Sequence, residues 1–321
     1  MRANQSFMSV IFGPRTLAPS PDVASDNRKV PMPSEPPHHR RNLVIVRAGD
    51  ASLHPQWLAG AGDRNWDLVV SYFGKDPAIY RIDDVVRIDS TGPKWAPLQR
   101  LMLDHPEYLD RYDYIWFPDD DLAMTKQDMN RFFDLCRDYG LELAQPSLTT
   151  DSPMNHPLLI NNTASHIRFT NFVEVMAPCF SAACLRRVLP TFSATQSGWG
   201  IDWLWPRMVQ DRDSGIAVID DVVIRHTRPL GGPNYDAMRA KGQSPLDELL
   251  KFQEREGIEH VRIEVHKVFW RSKWVKPSRP QSLAFRLKLL AGHVRAVTAS
   301  PIRGMLLRQV LGRFKRPITN G

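Results

Sequence analysis

The segment Tyr112–Leu122 reads YDYIWFPDDDL. Its run Tyr114, Ile115, Trp116, Phe117 offers no polar position to water, which suits a strand buried on both faces of a parallel sheet. The run passes without a break into Asp119, Asp120 and Asp121. A strand ending in clustered carboxylates places hard oxygen ligands at the carboxyl edge of a sheet, where α/β folds bind ligands. Side chains alternate along extended backbone, so Asp119 and Asp121 share one side and Asp120 points away. Two same-side carboxylates can share one divalent cation. The plainer reading is a solvated turn before a helix, since Thr125 with Asp128 forms a capping-box pattern. Three acids on one bare turn repel each other, which favours a metal or a charged ligand.

The 321 residues suffice for one large α/β domain or two small ones, and a hydrophobic content of 42% is ordinary for a chain with a core. Net charge is +7 and the pI about 9.4, pointing to an anionic partner. The charge is uneven: no acid follows Glu264, while lysines and arginines continue to Arg316. Cys136, Cys179 and Cys184 lack CxxC spacing, which argues against a disulfide framework or zinc knuckle and fits a reducing, cytoplasmic setting. No apolar run approaches the ~20 residues that span a bilayer, and Phe7–Phe12 is too short for a signal peptide.

Residues 1–41, rich in proline, serine and charge, read as a disordered leader. Strand–helix alternation then predicts an α/β domain over residues 42–235 with mostly parallel strands. Its first strand, Asn42–Arg47, meets Ala48 and Gly49, where glycine permits a tight turn and either a nucleotide or a plain turn can lie. Further strands are expected at Trp66–Phe73, Asp83–Asp89, Leu141–Gln145, Phe172–Pro178 and Ile216–Ile224, and helices at Lys94–Leu103, Thr125–Tyr139 and Ala182–Phe192. Lys94 gains nothing from the dipole at a helix N-terminus, so it is either incidental or reaches an anion held there. Residues 149–170 read as one long polar loop. Glu174, an acid in an apolar strand, needs a partner or faces a cleft. In SGWGIDWLW, glycines allow a special turn and aromatics wall in Asp202, whose raised pKa would suit a base; the plainer reading makes Asp202 a helix N-cap. Beyond residue 235 lie a helix near Pro245–Arg255 and a basic helical extension to residue 321. Within it, residues 265–321 read either as a surface for an anionic membrane or as a packed basic helix. Nothing resembles a nucleic-acid-binding signature, so no nucleic acid is expected.

Seven segments in order, NLVIVRAG, GPKW, YDYIWFPDDDL, QPSL, FVEVMAPCFS, WGIDW and DDVVIRHTRP, resemble the domain of unknown function 707 family over about residues 42–232. That family is similar to the GT-A glycosyltransferases, with their Rossmann-like sheet and DxD metal motif. The resemblance implies Mn²⁺ or Mg²⁺ held by Asp119, Asp121 and His226. It implies a nucleotide-sugar donor met by the loop Arg47, Ala48, Gly49 and by Asp119, with Lys94 and Asp120 as further candidate contacts from the sequence itself. It further implies Asp202 as the base toward a glycan or lipid-linked acceptor, with Glu174 its rival because WGID carries a single acid. A peripheral place at the inner membrane face follows as an expectation. A metal-dependent phosphohydrolase and a non-catalytic nucleotide- or glycan-binding protein are the alternatives, although DDDLA lacks the threonine of the haloacid-type nucleophile motif.

Overall fold

The computed structural model describes residues 40–231, 233–258 and 263–271. The expected leader (but for its last two residues) and most of the expected basic helical extension lie outside these.

The first half alternates strands and helices: β1 (Asn42–Ala48), α1 (His54–Leu58), β2 (Trp66–Tyr72), β3 (Val86–Asp89), α2 (Trp95–Asp104), α3 (Glu107–Arg111), β4 (Tyr114–Trp116), the two-residue β5 (Leu122–Ala123) and α4 (Lys126–Asp138). The second half holds β6 (Leu143–Leu148), β7 (Ser165–Thr170), β8 (Cys179–Ser181), α5 (Ala182–Val188), α6 (Ile201–Leu204), β9 (Ile216–His226), α7 (Pro233–Ala240), α8 (Pro245–Glu256) and β10 (Val265–Trp270). The sheet order is β10-β7-β9-β6-β8-β4-β1-β2-β3, with β5 paired to β9.

Pairing directions carry the functional consequence. β3, β2, β1 and β4 are mutually parallel, and β8 is antiparallel to both β4 and β6, so β6 and its parallel partner β9 run with the first group. Only β7 and β8 on this path run the other way. The carboxyl ends of β1, β2, β4 and β9 therefore share one edge. Reversal of β8 brings the segment preceding it, residues 172–178, to that same edge.

Each face of the sheet meets its own core. Val44, Val46, Tyr114 and Trp116 join one, under Met129, Phe132 and Phe133 of α4; Leu43, Ile45, Ile115 and Phe117 join the other, with Trp95 and Leu98 of α2. This is the two-sided burial that an unbroken apolar strand demands. Helix α4 begins where the capping box predicts, Thr125 and Asp128 each satisfying the other's backbone N–H. Gly140 follows it at φ +60°.

Several expectations need correction. Phe172–Pro178 is an irregular buried segment and not a strand. The polar stretch 149–170 contains β7, whose Arg168 makes a fully buried ion pair with Asp220 of β9. Asp202 lies inside α6; Gly200 is its N-cap, at φ +93°. The body also continues past residue 235. Leu249 and Phe252 of α8 join the second core, and β10 extends the sheet beside β7.

Gly200 is the point where α8 meets the WGID turn. A Cβ there would come within 2.8 Å of Phe252 and 2.9 Å of Leu249, on a backbone that L side chains rarely adopt. Gly200→Ala should cost about 1–3 kcal/mol, read as a lower urea midpoint; an unchanged midpoint would refute this packing.

Candidate functional site

The chain leaves β4 still extended. Phe117 N–H donates to Pro178 O at 3.0 Å and Asp119 N–H to Met176 O at 2.8 Å, so residues 176–178 run alongside it. Asp120 and Asp121 then form a turn, which breaks the simple alternation of the three carboxylates. Each acid acquires a different basic partner.

Asp119 Oδ1 accepts from Lys94 Nζ at 2.6 Å. The same ammonium donates to Val175 O at 2.8 Å and Met176 O at 3.3 Å. Asp120 is engaged through both oxygens: Gly49 N–H donates to one at 2.9 Å and Arg228 to the other at 2.8 Å. Burial raises its pKa, and these two donors oppose that. Arg228 also donates to Ala51 O, so Asp120 and Arg228 together brace the loop after β1. Asp121 Oδ2 faces His226 Nε2 at 3.2 Å, while Asp121 Oδ1 is buried with no hydrogen-bond partner. Burial lowers the pKa of His226, but the hydrogen bond and charge of Asp121 outweigh it and push the value up to about 9.

Asp121 and His226 suit a divalent ion in chemistry. An orphaned carboxylate oxygen supplies a hard donor beside an imidazole, the mixture that Mn²⁺ accepts and, with more oxygen, Mg²⁺. His226 Nδ1 is 2.6 Å from Pro153 O, an orienting contact that leaves Nε2 as the ligand atom once deprotonated. Among the described residues no group of three or more His, Cys, Asp and Glu gathers around one point. The protein thus offers two donors there, and Asp119 stands under Lys94.

The loop after β1 is more enclosed than its glycine suggested. Arg47 is 4% exposed and donates to Ser71 Oγ at 2.9 Å, Ser90 O at 3.0 Å and Gly92 O at 2.8 Å. Its Nε has no partner, and burial lowers its pKa to about 10. Ala48 is fully buried. The Phe73 ring, 40% exposed, lies against Gly49, where a Cβ would sit 3.1 Å from it. Tyr80, at φ +60°, reaches across the loop: its hydroxyl donates toward Asp50 O at 2.8 Å and accepts from Ser52 N–H at 3.1 Å. Neither aromatic was singled out by the sequence. Phe73 looks like the last residue of a buried strand, and Tyr80 sits in a polar stretch without periodicity.

On the other flank, Glu174 and Asp202 face each other. Gln145 accepts the Glu174 N–H at 2.7 Å, and Glu174 Oε2 is buried without a partner. Desolvation pushes the Glu174 pKa up to about 7, the Asp119 charge adding to it and His226 opposing. Desolvation and the charge of Glu174 push Asp202 up to about 8, against N–H donation from Val175 and Gly200. Tyr235 of α7 joins this flank through Trp199, whose Nε1 donates to its hydroxyl at 2.7 Å. Burial, with Asp119, Glu174 and Asp202 nearby, raises its pKa. Tyr235 lies beyond the last recognisable block, and no spacing rule pointed to it.

The geometry defines an α/β protein whose sheet has, at its carboxyl edge, three consecutive acids with His226 on one flank and two buried acids on the other. More than half the chain, residues 83–274, matches the model of the family described as "Protein of unknown function (DUF707)", and the chain belongs to that family. No curated protein matches the sequence. Among solved structures, the chain is similar to S. aureus TarS at 12% identity and TM-score 0.43, covering 84% of this chain and 52% of that one, about half its length. TarS residues 1–349 in complex with UDP-GlcNAc align at 13% identity and TM-score 0.44, over 82% of each chain. GalNAc-T7 with UDP, GalNAc and Mn²⁺ aligns at 7% identity and TM-score 0.48, over 68% of this chain and 48% of that one.

The acid pair makes stability depend on pH with a definite sign. Glu174 and Asp202 hold protons more tightly folded than at their ordinary values of 4.5 and 3.8. Stability is therefore full in acid and falls as pH rises from the ordinary carboxylate range through about 8. Glu174→Gln and Asp202→Asn remove this loss, so each variant's Tm relative to wild type should rise between about pH 5 and about pH 9. Parallel Tm curves for the three proteins would rule it out.

Proposed function

We propose that this protein is a metal-dependent glycosyltransferase that moves a sugar from a nucleotide-sugar donor to a hydroxyl of a glycan or lipid-linked acceptor. One observation carries the reading: a donor pair fit for a divalent ion and a neutral-range acid pair flank the same sheet edge. A transfer of this kind needs both, positive charge where a diphosphate leaves and a proton acceptor where a hydroxyl attacks.

Asp121 and His226 would hold Mn²⁺ or Mg²⁺, with remaining positions for phosphate and water. When bound, the ion neutralises the charge that develops on the leaving diphosphate. The residues themselves do the rest. The loop Arg47–Gly49, braced by Asp120 and Arg228, takes the nucleoside, with the exposed face of Phe73 available for stacking. Lys94 adds a second cation beside the phosphates.

On the acceptor flank, the charge of Glu174 adds to desolvation in raising Asp202, so Asp202 keeps its proton in the range where Glu174 loses its own. Glu174 has the lower pKa of the two and an unpartnered Oε2. It is therefore the better proton acceptor, and Asp202 tunes it by charge. Burial of the two acids themselves sustains both raised values.

The binding test is a thermal-shift panel of nucleotide sugars with and without Mn²⁺, with UDP-GlcNAc as the first probe. Stabilisation that requires the metal is expected; a flat panel would overturn the donor class. For the chemistry, Glu174→Gln should lower turnover of the stabilising donor by about 10²–10⁴-fold while leaving its thermal shift in place. Retained turnover would remove Glu174 from the base role, and absence of turnover in wild type with retained binding would mark a binding protein.

A further inference from the structure

Lys94 stands in a place where its charge is poorly tolerated. It occupies the N-cap position of α2 with helical φ −63° and ψ −53°, facing the positive end of the helix dipole. Only 17% of its side chain is exposed. An ammonium has three hydrogens, and three acceptors take them: Asp119 Oδ1, Val175 O and Met176 O. The lysine is saturated, and Asp119 already carries a cation.

Asp119 cannot offer Oδ1 to a divalent ion in this arrangement, because the incoming charge would meet an ammonium 2.6 Å from that oxygen. Next to it, Asp121 Oδ1 is an acceptor without a donor. The two carboxylates are thus unequally prepared: Asp121 meets His226 through Oδ2 and keeps Oδ1 without a partner, whereas Asp119 has an ammonium from α2 on its Oδ1. Resting on the nucleotide-sugar reading, we propose that Lys94 is a place-holding counter-ion which must leave Asp119 for a divalent ion to bind fully, and which a diphosphate draws away by offering it another anion. Metal and nucleoside diphosphate then bind as a linked pair, each weak alone and each strengthening the other by the same factor.

The exchange reaches the other flank. Val175 accepts from Lys94 through its carbonyl, and its N–H is among the groups that oppose the raised pKa of Asp202. Glu174 precedes it in the chain. Cation exchange at Asp119 therefore alters a hydrogen bond within the segment that carries the acid pair, so donor loading is felt where the acceptor is deprotonated.

Isothermal titration calorimetry of the full chain with Mn²⁺ alone, and with Mn²⁺ in the presence of UDP, tests the proposal on wild type, Lys94→Met and Lys94→Arg. Lys94→Met is expected to bind Mn²⁺ alone about tenfold or more tightly than wild type, and to lose most of the enhancement that UDP confers on wild type. Lys94→Arg, which keeps a cation able to fork onto Asp119, should bind Mn²⁺ alone no better than wild type. Lys94→Gln repeats the comparison should Lys94→Met fail to fold. Equal or weaker Mn²⁺ affinity in the neutral variants, or Lys94→Arg matching Lys94→Met, overturns the place-holder. UDP without effect on wild type overturns the diphosphate exchange and counts against the nucleotide reading, whereas the Mn²⁺-only comparison decides the role of Lys94 independently.

Discussion

The structure depends on β4 being buried on both faces. Tyr114 and Trp116 belong to one core and Ile115 and Phe117 to the other, so this strand cannot tilt or slip without exposing large apolar area. Its end is therefore a fixed point. Carboxylates that follow directly on such a strand cannot continue inward, and they emerge where β1 and β9 also end. Every other component of the site is positioned relative to that edge: the loop after β1, the lysine before α2, the histidine closing β9.

Charge balance explains the detail around this fixed point. Asp119, Asp120 and Asp121 are consecutive, yet each meets a cation from a different element: Lys94, Arg228 and His226. Three acids in sequence would repel if left together; distributed among three partners they cross-link the loops instead. The middle acid does this most completely, with both oxygens held by the protein. On the far flank, among the described residues, neither Glu174 nor Asp202 makes an ion pair, and desolvation pushes both carboxyls toward neutrality. One sheet edge thus holds three acids paired with basic side chains beside two acids that burial raises into the neutral range.

Reversal of β8 is what joins the two flanks. Had that strand run with its neighbours, residues 172–178 would lie at the opposite edge, and Glu174 would be remote from Asp119. Reading FVEVMAP as a strand missed this, because its apolar content reflects burial and not extended pairing. The same ambiguity hid Phe73 and Tyr80, aromatic residues that local pattern assigns to strand end and loop, though both lie against the loop after β1.

By itself, the sequence determined that β4 would be buried on both faces, that acids would stand at its end, that α4 would start at Thr125, and that Asp202 would sit among aromatics. These follow from local pattern, since alternation, capping and composition act over a few residues. Only the tertiary structure decided which oxygen of Asp121 lacks a partner, that Lys94 pairs with Asp119, that Glu174 keeps an unpartnered oxygen, and that Tyr235 meets Trp199. Those outcomes depend on pairs far apart in the chain, such as Lys94 with Val175 and Asp121 with His226. Pairing and desolvation are set by which segments the fold brings together, and no local periodicity encodes them.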